Sequence, residues 1–207
     1  MKKLILSLCI LLSLATFASA QDAFGLHFSV PYIYQNWVED DFKYSSNTNA
    51  IGFGLHYITI PENSRVGGIG IADLYFPQKI KTKVTFMGYT GEGVTKRKDY
   101  DALWGINAFG GAAFALIKAP TVGLTFGPGI HYRLLYTKIG DYATADNSIG
   151  LGMDAQFNIS FFPSTYFTAG INGTFDFFEF YRTEDDSKSR PVRTLMITPR
   201  IGFGVQF

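Results

Sequence analysis

The chain has 207 residues, one cysteine and a formal charge of +1, from 18 Lys and Arg against 17 Asp and Glu. That length suits one domain of ordinary size, and the even charge balance excludes the basic footprint of a nucleic-acid-binding protein. Aromatic residues take a 16% share, 20 Phe, 12 Tyr and 2 Trp, beside 22 Gly. Strand formers and turn formers therefore dominate.

At the amino terminus Lys2 and Lys3 precede an apolar run from Leu4 through Phe17, and Ala18-Ser19-Ala20 supplies the small residues of a signal-peptidase site. Residues 1–20 read as a cleaved secretory signal peptide, because the run is short for a membrane helix of about 20 residues. Cys9 leaves with it, and Leu8 is too bulky for a lipoprotein cleavage site. The mature chain then has neither a disulfide framework nor a cysteine metal site.

Beyond Ala20 no run is long enough for a transmembrane helix, and alternating segments recur instead. The first, from Ala23, sets Phe24, Leu26, Phe28 and Val30 against Gly25, His27 and Ser29. The second sets Ile51, Phe53, Leu55 and Tyr57 against Gly52, Gly54 and His56. A third, near Val66 to Phe76, is less regular. The fourth, about Tyr100 to Leu116, opposes Trp104, Ile106, Ala108 and Phe114 to Gly105, Asn107 and Gly111. The fifth runs from Val122 to Tyr136, with Gly123, Thr125, Gly127, Gly129, His131 and Arg133 on its polar parity. The sixth, Ile149 to Phe162, puts every bulky apolar residue on one parity and Gly150, Gly152, Asp154, Gln156, Asn158 and Ser160 on the other. The seventh sets Phe167, Ala169, Ile171, Phe175 and Phe177 against Thr168, Gly170, Asn172, Thr174 and Asp176. The eighth ends the chain, with Leu195, Ile197, Ile201, Phe203, Val205 and Phe207 against Met196, Thr198, Arg200, Gly202, Gly204 and Gln206.

Short connections fall around Pro61 to Arg65, Ile117 to Pro120 and Pro163 to Thr165. Long ones fall around Asn36 to Thr48, Pro77 to Asp99, Lys138 to Asn147 and Arg182 to Arg190, and they hold 21 of the 35 formally charged residues. Tight turns at one end and long connections at the other are the loop rule of an outer-membrane barrel. A soluble sandwich would turn its apolar parity inward and carry charge outside, whereas here the second parity is rich in Gly, Ser, Thr and Asn. The apolar face is therefore expected to meet lipid. Lipid offers backbone groups no hydrogen-bond partner, which requires a closed sheet. The expected fold is all-β: an eight-stranded antiparallel up-and-down transmembrane β-barrel over 21–207, with short periplasmic turns and long extracellular loops. Tyr32, Tyr34, Trp37, Tyr57, Trp104, Tyr136, Tyr166 and Tyr181 suit interfacial girdles. Pro128 and Pro199 fall inside strands, and a bulge is expected at one or both. The third loop itself alternates around Gly91 and Gly93, so a ten-stranded count stands as the alternative.

All three histidines fall on the inner parity. A tight turn from the fifth segment into the sixth would set His131 roughly across from Asp154, with Arg133 one step beyond. A His, a carboxylate and a hydroxyl raise the alternative of a hydrolase. The plainer reading is an interior polar network of His131, Arg133, Asp154, Gln156, Asn158, Asn172, Asp176 and Arg200, because buried charges must be paired. His27 and His56 come side by side near the periplasmic mouth, a pair too small for a metal site without a third ligand. GFGLH and GIGIA lack a following helix and so are not phosphate loops. No catalytic residue and no cofactor is assigned.

On the signal peptide, the eight alternating segments and the ending RIGFGVQF, the chain resembles the small outer-membrane barrels of Gram-negative bacteria. These are the OmpA-type and OmpX-type proteins and the "outer membrane protein beta-barrel domain" family. The resemblance covers the whole mature chain. It implies an outer-membrane location, and it makes Phe207, Val205, Phe203 and Ile201 resemble the insertion signal read by the barrel assembly machinery. Three functions stay open. The first is a non-enzymatic barrel presenting extracellular loops for envelope integrity, adhesion or binding of an extracellular protein. The others are a lipid-modifying enzyme and a narrow channel for small solutes. The basic hairpin, with Lys79, Lys81, Lys83, Lys96, Arg97 and Lys98, offers contacts to the anionic groups of outer-membrane lipid and lipopolysaccharide.

Overall fold

Every long alternating segment is a strand in the computed structural model, which describes residues 20–39, 41–182 and 187–207. The expected signal peptide lies, up to residue 19, outside the described residues. Ten strands follow in order: β1 (Ala20–Ser29), β2 (Tyr32–Glu39), β3 (Phe42–Pro61), β4 (Val66–Phe86) and β5 (Tyr89–Lys96), then β6 (Ala102–Lys118), β7 (Val122–Ile139), β8 (Tyr142–Phe162), β9 (Thr165–Arg182) and β10 (Ser187–Gln206). A 3-10 turn at Arg97–Asp99 separates β5 from β6.

Ten segments make eight staves. β1 and β2 both pair with β3 on one side and β10 on the other, so they form one stave broken at Val30 and Pro31. β5 and β6 share the same edge of β4 in the same way. Antiparallel pairing of β1 with β10 closes the ring. Closure satisfies the backbone groups that lipid could not.

The prolines are absorbed without bulges, contrary to expectation. Pro199 stays in register with Ile171. Its carbonyl accepts from Val30 N at 3.0 Å, so its missing N–H faces the break between β1 and β2, where no ladder bond is lost. At Pro128 the β6–β7 bridges lapse between Gly111↔Gly129 and Phe114↔Phe126 and resume in unchanged register.

The long extracellular connections are mostly strand rather than irregular loop. β4 and β5 meet at Met87 and Gly88, both with positive φ (48° and 83°), the hairpin geometry that matches strand twist. β7 and β8 meet at Gly140 (φ 58°) and Asp141. Above the lipid both faces of a sheet meet water, so pairing persists after the alternation has faded.

The outward face is apolar: Leu26, Phe53, Ile130, Leu151 and Phe203 are all more than half exposed. A surface of that kind needs lipid around it. Tyr32 and Tyr132 donate to Asn47 and Asn147 on the outside, and Trp104 packs on Tyr136. Two of the expected girdle residues lie elsewhere: Tyr166 is buried in the lumen, and Trp37 shares the inner parity of Ile33 and Gln35. The lumen is layered rather than wholly polar. Ile58, Ile60, Ile69, Ile71, Phe109, Ala113 and Ala115 fill the periplasmic part, and Ile33, Ala50, Tyr75, Ile80, Leu103, Leu135 and Met196 plug the extracellular part.

Candidate functional site

Beside the two apolar clusters runs a continuous chain of buried polar groups. Tyr166 Oη is 2.8 Å from His56 Nε2, His56 Nδ1 is 3.2 Å from His27 Nδ1, and His27 Nε2 is 2.7 Å from Asp73 Oδ1. One set of tautomers satisfies every contact: with His27 Nε2 donating to Asp73, His27 Nδ1 accepts from His56 Nδ1, and His56 Nε2 accepts from Tyr166. Asn107 Nδ2 donates to Asp73 Oδ2, and Asn107 Oδ1 faces His131 Nε2. His131 Nδ1 then meets Asp176, whose other oxygen takes bonds from Arg133 Nε (3.2 Å) and Ser148 Oγ (2.6 Å). Glu179 continues the chain toward the outside, accepting from Gln35 (2.7 Å) and Arg190 (2.8 Å). A second knot joins Arg200 to Asp154 (2.6 and 2.7 Å) and to Gln156 (3.1 Å), with Asn172 donating to Asp154 and Gln156 to Asn158.

The eight residues expected inside thus fall into two groups. His131, Arg133 and Asp176 form one, and Asp154, Gln156, Asn158, Asn172 and Arg200 the other. Asp154 does not face His131. It stands opposite Gly127, and Gly150 stands opposite His131, because the β7–β8 turn at Gly140 is tighter than expected. Asp73, Asn107, Ser148, Glu179 and Tyr166 were not expected in the network. Asp73 sits in the irregular third segment. Glu179 enters the lumen only because Phe177 is an extra residue opposite the Ile149–Gly150 step, which reverses the parity of β9 beyond it.

The order of groups along the polar chain differs from that of a Ser-His-Asp triad. Ser148, Asp176 and His131 do come together, but the carboxylate stands between hydroxyl and imidazole, so the serine proton is directed at Asp176 and not at His131. All three side chains are buried. His27 and His56 aim their Nδ1 atoms at each other rather than at a common point, and among the described residues no group of three or more metal-capable side chains gathers.

The second feature is the wall that β2, β3, β4 and β5 raise at the extracellular end. An extra residue, Gln78, opposite the Asn49–Ala50 step switches the parity of β4. Below it Ile71, Asp73 and Tyr75 face inward; above it Ile80 does, so Lys79, Lys81 and Lys83 turn outward. They stand opposite Asn49, Asn47 and Ser45 on β3, and opposite Lys96, Val94 and Glu92 on β5. Lys79 lies three residues beyond the outward Phe76, about 10 Å along the strand. The Lys83–Glu92 pair (3.2 Å) is well exposed and contributes little. Arg97 and Lys98 belong to the 3-10 turn, which Asp99 closes by accepting from Lys96 N. Among the described residues, β5 pairs with β4 alone and leaves its other edge open.

Comparison with solved structures sets this ring beside known barrels. Ail, the attachment invasion locus protein of Yersinia pestis, matches over 92% of this chain and 100% of its own, with TM-score 0.50 and 12% identity. Neisserial surface protein A matches over 89% and 99%, with TM-score 0.50 and 13% identity. A major outer membrane protein of Thermus thermophilus matches over 88% and 99%, with TM-score 0.52 and 14% identity. The fold is that of the small outer-membrane β-barrels. No protein-family model and no curated protein sequence matches the chain. A small barrel of this kind has a membrane-facing belt and two water-facing ends.

Proposed function

We propose that the protein is a non-enzymatic barrel of the outer membrane that works through its extracellular wall. The observation carrying this reading is the outward lysine row, Lys79, Lys81 and Lys83 with Lys96, set just beyond the apolar belt. Cations at that height meet the phosphate groups of outer-leaflet lipid, including lipopolysaccharide, and hold the wall upright in the head-group layer. The β5 edge beside them, open among the described residues, offers main-chain bonds to an extended segment of an extracellular protein. The layered lumen supports the same reading, because the polar residues that could do chemistry are buried and bonded to one another. Insertion by the barrel assembly machinery through Phe207 and its alternating neighbours fits the outward placement of Ile201, Phe203, Val205 and Phe207.

The test is binding of lipopolysaccharide to the refolded barrel in detergent. Replacing Lys79, Lys81 and Lys83 with Gln lowers affinity by about tenfold or more, and removal of the lipid A phosphates abolishes the difference between the two proteins. Equal affinity of the triple variant and the parent would refute the lysine row as the contact. Deleting the protein leaves the mass profile of lipid A unchanged; a shifted profile would restore the enzyme reading.

A further inference from the structure

At the extracellular mouth an aromatic and acidic enclosure already holds one cation of the chain itself. The Arg190 guanidinium lies 4.0 Å from the ring centroid of Trp37 and 5.4 Å from that of Tyr181. Its Nε and Nη2 are each 2.8 Å from Glu179 Oε2. One row away, Asp146 stands directly opposite Tyr181 in the β8–β9 register, on the same inward parity as Ser148. It lies within electrostatic reach of Glu179, Arg133 and Arg190. Its Oδ1 is shut off from solvent and, among the described residues, has no hydrogen-bond partner, unlike the oxygens of Glu179 and Asp176. Tyr44, Asp146, Tyr181 and Arg190 all keep partial exposure, and Lys188 stands exposed opposite Tyr181.

We propose that this enclosure is a binding site for a small organic cation, an alkylammonium or guanidinium group, seated against Asp146 beneath Tyr181 and beside Arg190. Three physical reasons converge. A buried carboxylate oxygen without a donor is costly, and a cationic N–H donor removes that cost. The Tyr181 ring attracts a desolvated cation through its quadrupole, as the geometry of Arg190 over Trp37 shows for this same mouth. An inorganic cation would lose its hydration shell against aromatic walls, whereas an organic one brings apolar surface that those walls accept. Monovalent metal ions are therefore disfavoured as occupants.

The chain has two tryptophans, and Trp104 lies on the outer face, so a Trp104→Phe barrel reports on Trp37 alone. Butylammonium and butylguanidinium chloride, titrated into that refolded barrel in detergent, produce a saturable change in Trp37 emission. Sodium chloride at the same ionic strength produces none. Asp146→Asn weakens the organic-cation response by about tenfold or more and keeps the heat-shifted band of a folded barrel. Arg190→Gln, which leaves Glu179 with Arg133 (3.9 Å) as its remaining described cation, retains or strengthens the response. An unsaturable response, an equal response to sodium chloride, or an unchanged affinity in a folded Asp146→Asn barrel would each overturn the site. Should Asp146→Asn fail to fold, Tyr181→Leu serves in its place; the same weakening is expected, and unchanged affinity in that variant overturns the site equally.

Discussion

At the scale of single residues the lumen behaves as a set of paired charges, and the pair of Asp154 and Arg200 is the simplest to isolate. Both side chains are essentially inaccessible, at 1% and 0% exposure, and they meet at 2.6 Å. Removing one partner of such a pair leaves the other charge buried without compensation, which costs about 3–5 kcal/mol. Asp154→Ala should therefore lower the temperature at which the folded band converts to the unfolded band in a gel-shift heating series. The double variant Asp154→Leu with Arg200→Met keeps no charge to strand and should recover much of the loss. Unchanged heat resistance of Asp154→Ala would show that Arg200 finds another anion, and the nearest described alternative, Gln156 at 3.1 Å, carries none. Small residues matter in the same way: a Cβ on Gly105 would run into the fully buried Tyr75 ring, and one on Gly204 into Tyr166. Glycine at these positions makes room for a large aromatic side chain to lie flat against the barrel wall.

At the scale of strands, two extra residues decide what faces where. Gln78 turns the lysines of β4 outward, and Phe177 turns Glu179 inward. Deleting Gln78 alone should give a regular strand with Ile80 still inward and Lys79, Lys81 and Lys83 still outward, so the barrel folds and lipopolysaccharide binding persists. Deleting Gln78 and Lys79 together reverses the parity beyond Pro77, and binding should fall well below that of a Lys79→Gln control. The eight staves were readable from the sequence because lipid on one side and a filled lumen on the other impose strict alternation, as from Ile149 to Phe157. The parity of β9 beyond Phe177 and of β4 beyond Pro77 was not readable, since one inserted residue leaves local composition unchanged. For the same reason Asp154 and Arg200 could be assigned to the interior, yet their partnership could not. Pairing across the barrel depends on the register of several strands, and the two-residue turn at Gly140 moved β8 relative to the expected alignment.

For the whole molecule, the order of layers along the lumen bears on transport. From periplasmic to extracellular end the inward residues of β4 read Ile69, Ile71, Asp73, Tyr75, Pro77 and, past Gln78, Ile80. Each level meets partners from across the ring: Phe109 and Ala113 below, His27 and Asn107 in the middle, Leu103, Leu135 and Met196 above. An ion crossing the lumen must pass apolar side chains at both the lower and the upper level, which offer nothing in exchange for lost hydration, and the polar groups beside them are already bonded to one another. Eight staves enclose a space that side chains alone can fill, so no continuous water path is needed to explain the polar residues within. The purified barrel in a planar lipid bilayer should accordingly give no discrete conductance steps in either polarity. Replacing Ile33, Tyr75 and Met196 together with Ala removes much of the upper plug but leaves the chain from His27 to Asp176 intact, so that variant should also stay silent while losing heat resistance. Unitary openings from the parent protein would show that these layers part on their own, and the channel reading would then displace the surface reading.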